Sequence, residues 1–203
     1  MPEDPFSPLA FDEFGKQWQR LAEQFLPQVA TRDEAYANQL AALIARLPLE
    51  QLPKLEQGRG GDGKLAGPTW FLAPVVIVEF QLDAGVALRL HNHPPQVVVT
   101  AGVEGECTYR HFEIDGVAPD CESGSKTPFR VRLSREGLLS PGRTTSLTRL
   151  RDGIHGFVAG RKKVRIVDFT VSLSDSEAFS YVQVESKPRD AEARCYDAVW
   201  TGR

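Results

Sequence analysis

The chain is short of cysteine, of surplus positive charge and of long apolar runs. Its three cysteines, Cys107, Cys121 and Cys195, are odd in number and widely spaced, which argues against a disulfide framework and for a reducing, cytoplasmic setting. The 24 Lys and Arg stand against 27 Asp and Glu, a formal charge of −3. A general nucleic-acid binder needs the opposite balance to replace phosphate counterions, so no nucleic-acid partner is expected. No apolar run approaches the roughly 20 residues that span a bilayer. Met1-Pro2-Glu3-Asp4 is acidic where a secretory leader is basic and then apolar. What remains is the composition of a soluble globular protein, 41% hydrophobic and 25% charged in 203 residues, enough for one ordinary domain with some extra structure.

The first third reads as helical. Phe11, Phe14, Trp18, Leu21, Ala22 and Phe25 recur at spacings of three and four and line one face of a helix. Pro27 ends it. Thr31-Arg32-Asp33-Glu34 has the form of a capping box at a second helix start. That helix carries Tyr36, Leu40, Leu43, Ile44 and Leu47 on one side and stops at Pro48. The two stripes are expected to pack on the domain that follows, over its mouth or its outer face.

Residues 57–68 form a Gly-rich connector in which Gly58, Gly60 and Gly63 spell G-x-G-x-x-G. A dinucleotide site needs a strand before that string and a helix after it. Here a Pro-containing stretch precedes it and a strand follows. The match is compositional. From Thr69 the pattern changes to short strands near 69–82, 86–93, 96–103, 105–115, 128–133, 144–150, 154–159 and 163–173, with one more at 181–185, punctuated by Gly and Pro-Gly turns. Eight strands at this rhythm predict a mostly β fold, a sandwich or jelly-roll barrel. The division is then 1–66, helical extension and connector, and 67–203, barrel domain. Whether the polar stretch Ser186 to Arg203 docks is not readable.

Three of the four histidines sit where a metal site would want them. His91 and His93, two apart in a strand, project to one face. His155 follows a Gly turn at another strand start. Each also has a bland reading as a hydrogen-bonded structural residue, and spacing alone leaves the two readings open. His111 is read as structural and partly exposed on a charged strand. Arg89 alternates with His91 and should share its face, either binding a carboxylate or, as favoured, standing solvated at the barrel mouth. Cys107 and Tyr109 are read as barrel lining, and Arg161-Lys162-Lys163 as a solvated turn.

The stretch Gly85 to Gly105, with His91-Asn92-His93-Pro94 and a Gly twelve residues after the second His, resembles the first motif of the cupin superfamily. That resemblance implies a double-stranded β-helix barrel with an N-terminal α-helical extension. Cupins commonly place a Glu ligand four or five residues after the second His, and Val97 and Val98 stand there instead. The chain is therefore similar to the thiol dioxygenases, whose iron is held by three His. Leu90-His91-Asn92-His93-Pro94, Gly105-Glu106, Gly153-Ile154-His155-Gly156-Phe157-Val158-Ala159 and Val167-Asp168-Phe169 resemble the cysteamine dioxygenase and plant cysteine oxidase branch, over roughly residues 69–173. The resemblance implies His91, His93 and His155 as ligands of Fe(II), Asp168 as a catalytic carboxylate near the iron, and a small thiol and dioxygen as substrates. Asp168 has an alternative role, pairing with Arg165 or Lys163 or capping a turn. The family's Pro-Pro-Tyr is replaced by Thr170-Val171-Ser172-Leu173. A zinc-type cupin enzyme and a non-enzymatic metal-binding cupin remain alternatives, and a homodimer through an edge strand is a further expectation.

Overall fold

The computed structural model describes residues 7–58, 60–93, 96–119, 126–148, 151–172 and 179–202. Arg59, Pro94, Cys121 and Leu173, and the ends of the strands expected over 144–150 and 163–173, lie outside the described residues.

Helix α1, Phe11–Phe25, is the predicted one. Pro27 sits in a single 3-10 turn, Leu26–Gln28, and α2, Val29–Ile44, follows at once. The capping box does not form. Arg32 has non-helical dihedrals that kink the segment, and the Thr31 hydroxyl donates backwards to the Gln28 carbonyl at 3.4 Å. Helix α2 also stops at Ile44, before Pro48 is reached, although Leu47 is still buried. No helix among the described residues is long and apolar enough to cross a membrane.

The described strands are β1 Lys64–Leu72, β2 Val75–Leu82, β3 Ala87–Asn92, β4 Gln96–Glu104, β5 Cys107–Ile114, β6 Phe129–Leu139, β7 Thr144–Leu147, β8 Ile154–Ala159, β9 Val164–Ser172, β10 Tyr181–Val184 and β11 Cys195–Gly202. The run expected as one strand over 69–82 is two, because the chain reverses at Ala73 and Pro74. Strand β6 runs six residues past its expected end. Its second half, Ser134-Arg135-Glu136-Gly137, lacks an apolar alternation and is held by pairing with β5. The C-terminal stretch docks: β11 pairs with β6, and Trp200 is buried with its indole donating to the Pro119 carbonyl at 2.8 Å.

All the strand pairs are antiparallel. One sheet has the order β1-β2-β9-β4-β7, and the other, β10-β11-β6-β5-β8-β3, closes on itself where Tyr181 pairs with His91. Two facing antiparallel sheets wound in this order form a cupin-type double-stranded β-helix, mostly β, with a helical pair ahead of it.

Alternation along each strand separates two faces. Val75, Ile77, Val97, Val99, Val167, Phe169 and Val171 turn outward and share one core with Phe14, Trp18, Tyr36 and Leu40 of the helices. The helices therefore cover the outer face of the five-stranded sheet. Phe14 and Trp18 each meet the Phe169 ring edge-on at 5.6 Å, a favoured aromatic geometry. A second core, with Phe112, Phe129, Ile154 and Trp200, fills the closed six-stranded ring. Between the sheets lies a third, with Leu82, Cys107, Phe157 and Ile166. Cys107 and Tyr109 line the barrel there as expected, and burial pushes the Cys107 thiol up to about 12.

Strand β1 begins at Lys64, inside the stretch read as connector, and the glycines ahead of it lie against that strand. A Cβ on Gly60 would come 1.8 Å from the Lys64 carbonyl oxygen, and one on Gly58 would come 2.6 Å from that of Ala66. Backbone approach to a strand, not a pyrophosphate, explains these glycines.

Candidate metal centre

Three strands bring the histidines together. Across the six-stranded sheet His91 of β3 is opposite His155 of β8, and His155 is opposite His111 of β5. A bulge between Leu88 and His91 adjusts the register of β3. His93, just beyond the strand end, turns back to the same side. The Nε2 of His155 lies 3.2 Å from the Nε2 of His91 and 3.1 Å from that of His93.

The outer ring atoms say which nitrogens are free. His91 Nδ1 donates to the Arg89 carbonyl at 2.7 Å, and His93 Nδ1 to the Gln96 side-chain oxygen at 2.6 Å. Both imidazoles thus carry their hydrogen on Nδ1 and turn an Nε2 lone pair inward. Burial holds His91 down to about 4, against its bond to Arg89. Burial, then the neighbouring His91, holds His93 down to about 3. His155 is pushed well below the ordinary range by burial and then by the other histidines. Neutral imidazoles converging on one point are what a cation needs: a transition-metal ion sits about 2.1 Å from each nitrogen. The three ligand atoms lie within 4.8 Å of one another, so the group fits one ion. Among the described residues no carboxylate belongs to it. Val97, at one of the positions where cupins carry Glu, faces the helices, and Val98 offers no donor atom.

His91 and His93 open on a cavity of about 660 Å³ between the sheets. Asp168 lines it, on the inner face of β9. Neither Arg165 nor Lys163 is its partner. Arg165 faces outward and pairs with Glu79 at 2.8 Å, whereas the Asp168 carboxylate accepts a hydrogen bond from the Thr100 hydroxyl at 2.5 Å. Burial pushes its carboxyl up to about 7, and the Thr100 bond offsets part of that rise. Arg89 stands exposed at the cavity mouth, its guanidinium 4.4 Å from the Tyr181 ring centre and 3.0 Å from the Thr201 hydroxyl. The Arg161-Lys162-Lys163 turn is exposed.

His111 departs from expectation. It is fully buried, because its strand runs inside the sheet between β6 and β8. Its Nε2 lies 3.2 Å from the Thr145 hydroxyl, within hydrogen-bond distance, and its Nδ1 faces the Asp152 carboxylate at 3.7 Å. Asp152 in turn accepts from Arg135 and lies 3.3 Å from Arg151. Burial alone would raise the Asp152 carboxyl, but His111, Ser134 and the Arg135 guanidinium outweigh it and hold it well below the usual range. This cluster braces the His155 ring from behind, with ring centres of His111 and His155 5.8 Å apart. Sequence reasoning missed Asp152, Gln96, Thr100 and Tyr181. Gln96 carried the clearest signal, an amide three residues after His93.

The class is thus a three-histidine site inside a cupin-type barrel. No protein-family model matches the chain, and no curated protein matches it. Among solved structures it is similar to an uncharacterised conserved protein with a double-stranded β-helix domain from Klebsiella pneumoniae, at 15% identity over 62% of this chain and 90% of that one, TM-score 0.45. It is also similar to a cupin superfamily protein from Desulfitobacterium hafniense, at 14% identity over 62% and 89%, TM-score 0.39. An oxalate oxidase in complex with glycolate aligns at 14% identity over 64% of this chain and 61% of that one, TM-score 0.45. The fold assignment rests on the strand pairing described above.

Proposed function

We propose that this chain is an Fe(II)-dependent dioxygenase that oxidises the thiol of a small aminothiol or cysteine-like substrate to a sulfinic acid. The observation that carries the reading is the convergence of the His91, His93 and His155 Nε2 atoms with no carboxylate in the group among the described residues. Three neutral ligands leave the ion's charge undiminished, which favours an anionic thiolate as the next partner. Iron would supply the Lewis acidity that brings a thiol to its thiolate, and the redox chemistry toward dioxygen. The reaction balances as R–SH + O2 → R–SO2H: both oxygen atoms end on sulfur, and the sulfur loses the four electrons that the dioxygen gains.

The chain's own residues orient and deprotonate. Arg89 carbonyl and Gln96 fix the ring planes of His91 and His93, as partners of ligating imidazoles do. Asp168, held near neutral pH and anchored by Thr100, takes the proton released when the thiol ionises, or pairs with a substrate ammonium. Val76, Val78, Phe80 and Leu88 wall the cavity and keep bulk water from the reacting sulfur.

Oxygen uptake by Fe(II)-loaded protein tests this, with cysteamine, cysteine, 3-mercaptopropionate and an N-terminal-Cys peptide as substrates. Uptake that needs a thiol and is lost in His155→Ala is the expected result. Iron-retaining protein that ignores every thiol, or that is isolated with stoichiometric zinc and stays inactive with iron, overturns it.

A further inference from the structure

Asp152 stands three residues ahead of His155 and is 1% exposed. A buried carboxylate in a turn ordinarily caps its own loop. This one is held from outside the loop as well. Arg135 of β6 donates to it, and Arg151 lies 3.3 Å away. Both arginines are themselves tied to β7: Arg135 donates to the Ser146 carbonyl at 2.7 Å, and Arg151 to the Ser146 hydroxyl at 3.3 Å. Two cations in fixed places offset the cost of burying the charge, and the carboxylate is left facing the His111 Nδ1.

The backbone of Asp152 is unusual too. Its φ is +57°, in the left-handed region, which is unfavourable for a residue with a side chain and persists only where the surroundings enforce it. The bend sets the direction of the residues that follow. The Gly153 carbonyl accepts from the His93 backbone amide at 3.3 Å, and His155 enters β8 opposite His91. One residue thus bears on two of the three rings. It reaches His93 through the Gly153 carbonyl. It reaches His155 along the chain and through the His111 ring, which meets that of His155 at 81° with ring centres 5.8 Å apart.

The geometry points to Asp152 as the positioning residue of the metal centre. It is not one of the ligands, but its carboxylate and its left-handed backbone hold the His93 and His155 rings where one ion can meet both. This rests on the metal-binding part of the proposed function and not on the thiol chemistry.

Titration of metal-free protein with Co(II) tests it, read by calorimetry and by the visible absorption of the bound ion, beside the Tm of the metal-free protein. Asp152→Gly keeps the bend, which glycine adopts freely, and removes the carboxylate; Asp152→Ala removes both. Co(II) affinity should fall about 10-fold in Asp152→Gly and about 100-fold in Asp152→Ala, the range for groups that orient ligands without touching the ion. The absorption of the bound ion should change shape in both. Arg135→Gln, at a partly exposed position, decides the matter if neither Asp152 variant folds: about 3-fold weaker binding is expected, the loss of one charge-assisted contact of two. A role in folding alone would lower the metal-free Tm and leave affinity and absorption of the folded protein as in wild type. That outcome overturns the inference, as does wild-type affinity in Arg135→Gln. Wild-type protein that takes up no Co(II) removes the metal reading itself, whereas uptake that is equal in wild type and variants removes only the positioning role.

Discussion

Glu79 and Arg165 are 86 residues apart in sequence and form a buried ion pair on the outer face of the five-stranded sheet, 2.8 Å between Nη2 and Oε2, with side-chain exposures of 0% and 3%. The same Arg165 nitrogen donates to the carbonyls of Leu52 and Pro53, and the other Glu79 oxygen accepts from the Leu55 amide and from Gln81. The pair thus pins residues 52–55, the segment that leads through the connector to the cavity wall of β1. Arg165→Met removes the cation and strands a carboxylate in a dry site, at a cost of about 3–5 kcal/mol. At about 2–4 °C per kcal/mol for a chain of this length, Tm should fall by about 6–20 °C. Lys54 and Glu104 are the contrast. They stand at 2.9 Å but are 58% and 53% exposed, so Lys54→Met should change stability by less than about 1 kcal/mol. Scanning calorimetry and urea unfolding of both variants, with Glu79→Gln and the double variant Glu79→Gln/Arg165→Met, give the measurement. The double variant should lose less than the sum of its parts by at least about 1 kcal/mol. An Arg165→Met loss under about 1 kcal/mol, or strictly additive single effects, would refute the argument that burial and not distance sets the strength of this pair.

Two further outcomes are expected. His91 and His93 have folded-state values near 4 and 3 against 6.5 for an ordinary imidazole; the unfolded chain therefore binds the extra protons, and metal-free protein should be fully stable above pH 6.5 and lose stability as pH falls toward 4. Tm measured across that window should fall less steeply in His91→Gln, and an unchanged slope would contradict the assignment. Gly60→Ala places a methyl 1.8 Å from the Lys64 carbonyl oxygen, so the connector must move off β1; limited proteolysis should cut the variant near residue 60 while the wild type resists, and equal resistance would show that the close approach is not required.

The elements legible in the sequence are those with a local period. The helical stripe of α1 follows from spacings of three and four, and the barrel-lining position of Cys107 from strand alternation. The common side of His91 and His93 was legible as their two-residue spacing, although His93 stands just past the end of β3. The lack of Glu at the two positions after the second His was legible too, as Val97 and Val98. Other features were decided by cross-strand register, which joins residues far apart in sequence and leaves no periodic trace. Register sets His155 opposite both His91 and His111, and so turns His111 from an expected half-exposed residue into a buried brace held by Asp152 and Thr145. Alternation puts Arg165 and Asp168, three positions apart in β9, on opposite faces, and register then brings Arg165 to Glu79 and leaves Asp168 to the cavity. Lys64 and Arg89 share one cavity because β1 closes one wall and β3 another. An isolated strand has no way to encode that placement, since the two strands line one cavity only after the two sheets have packed.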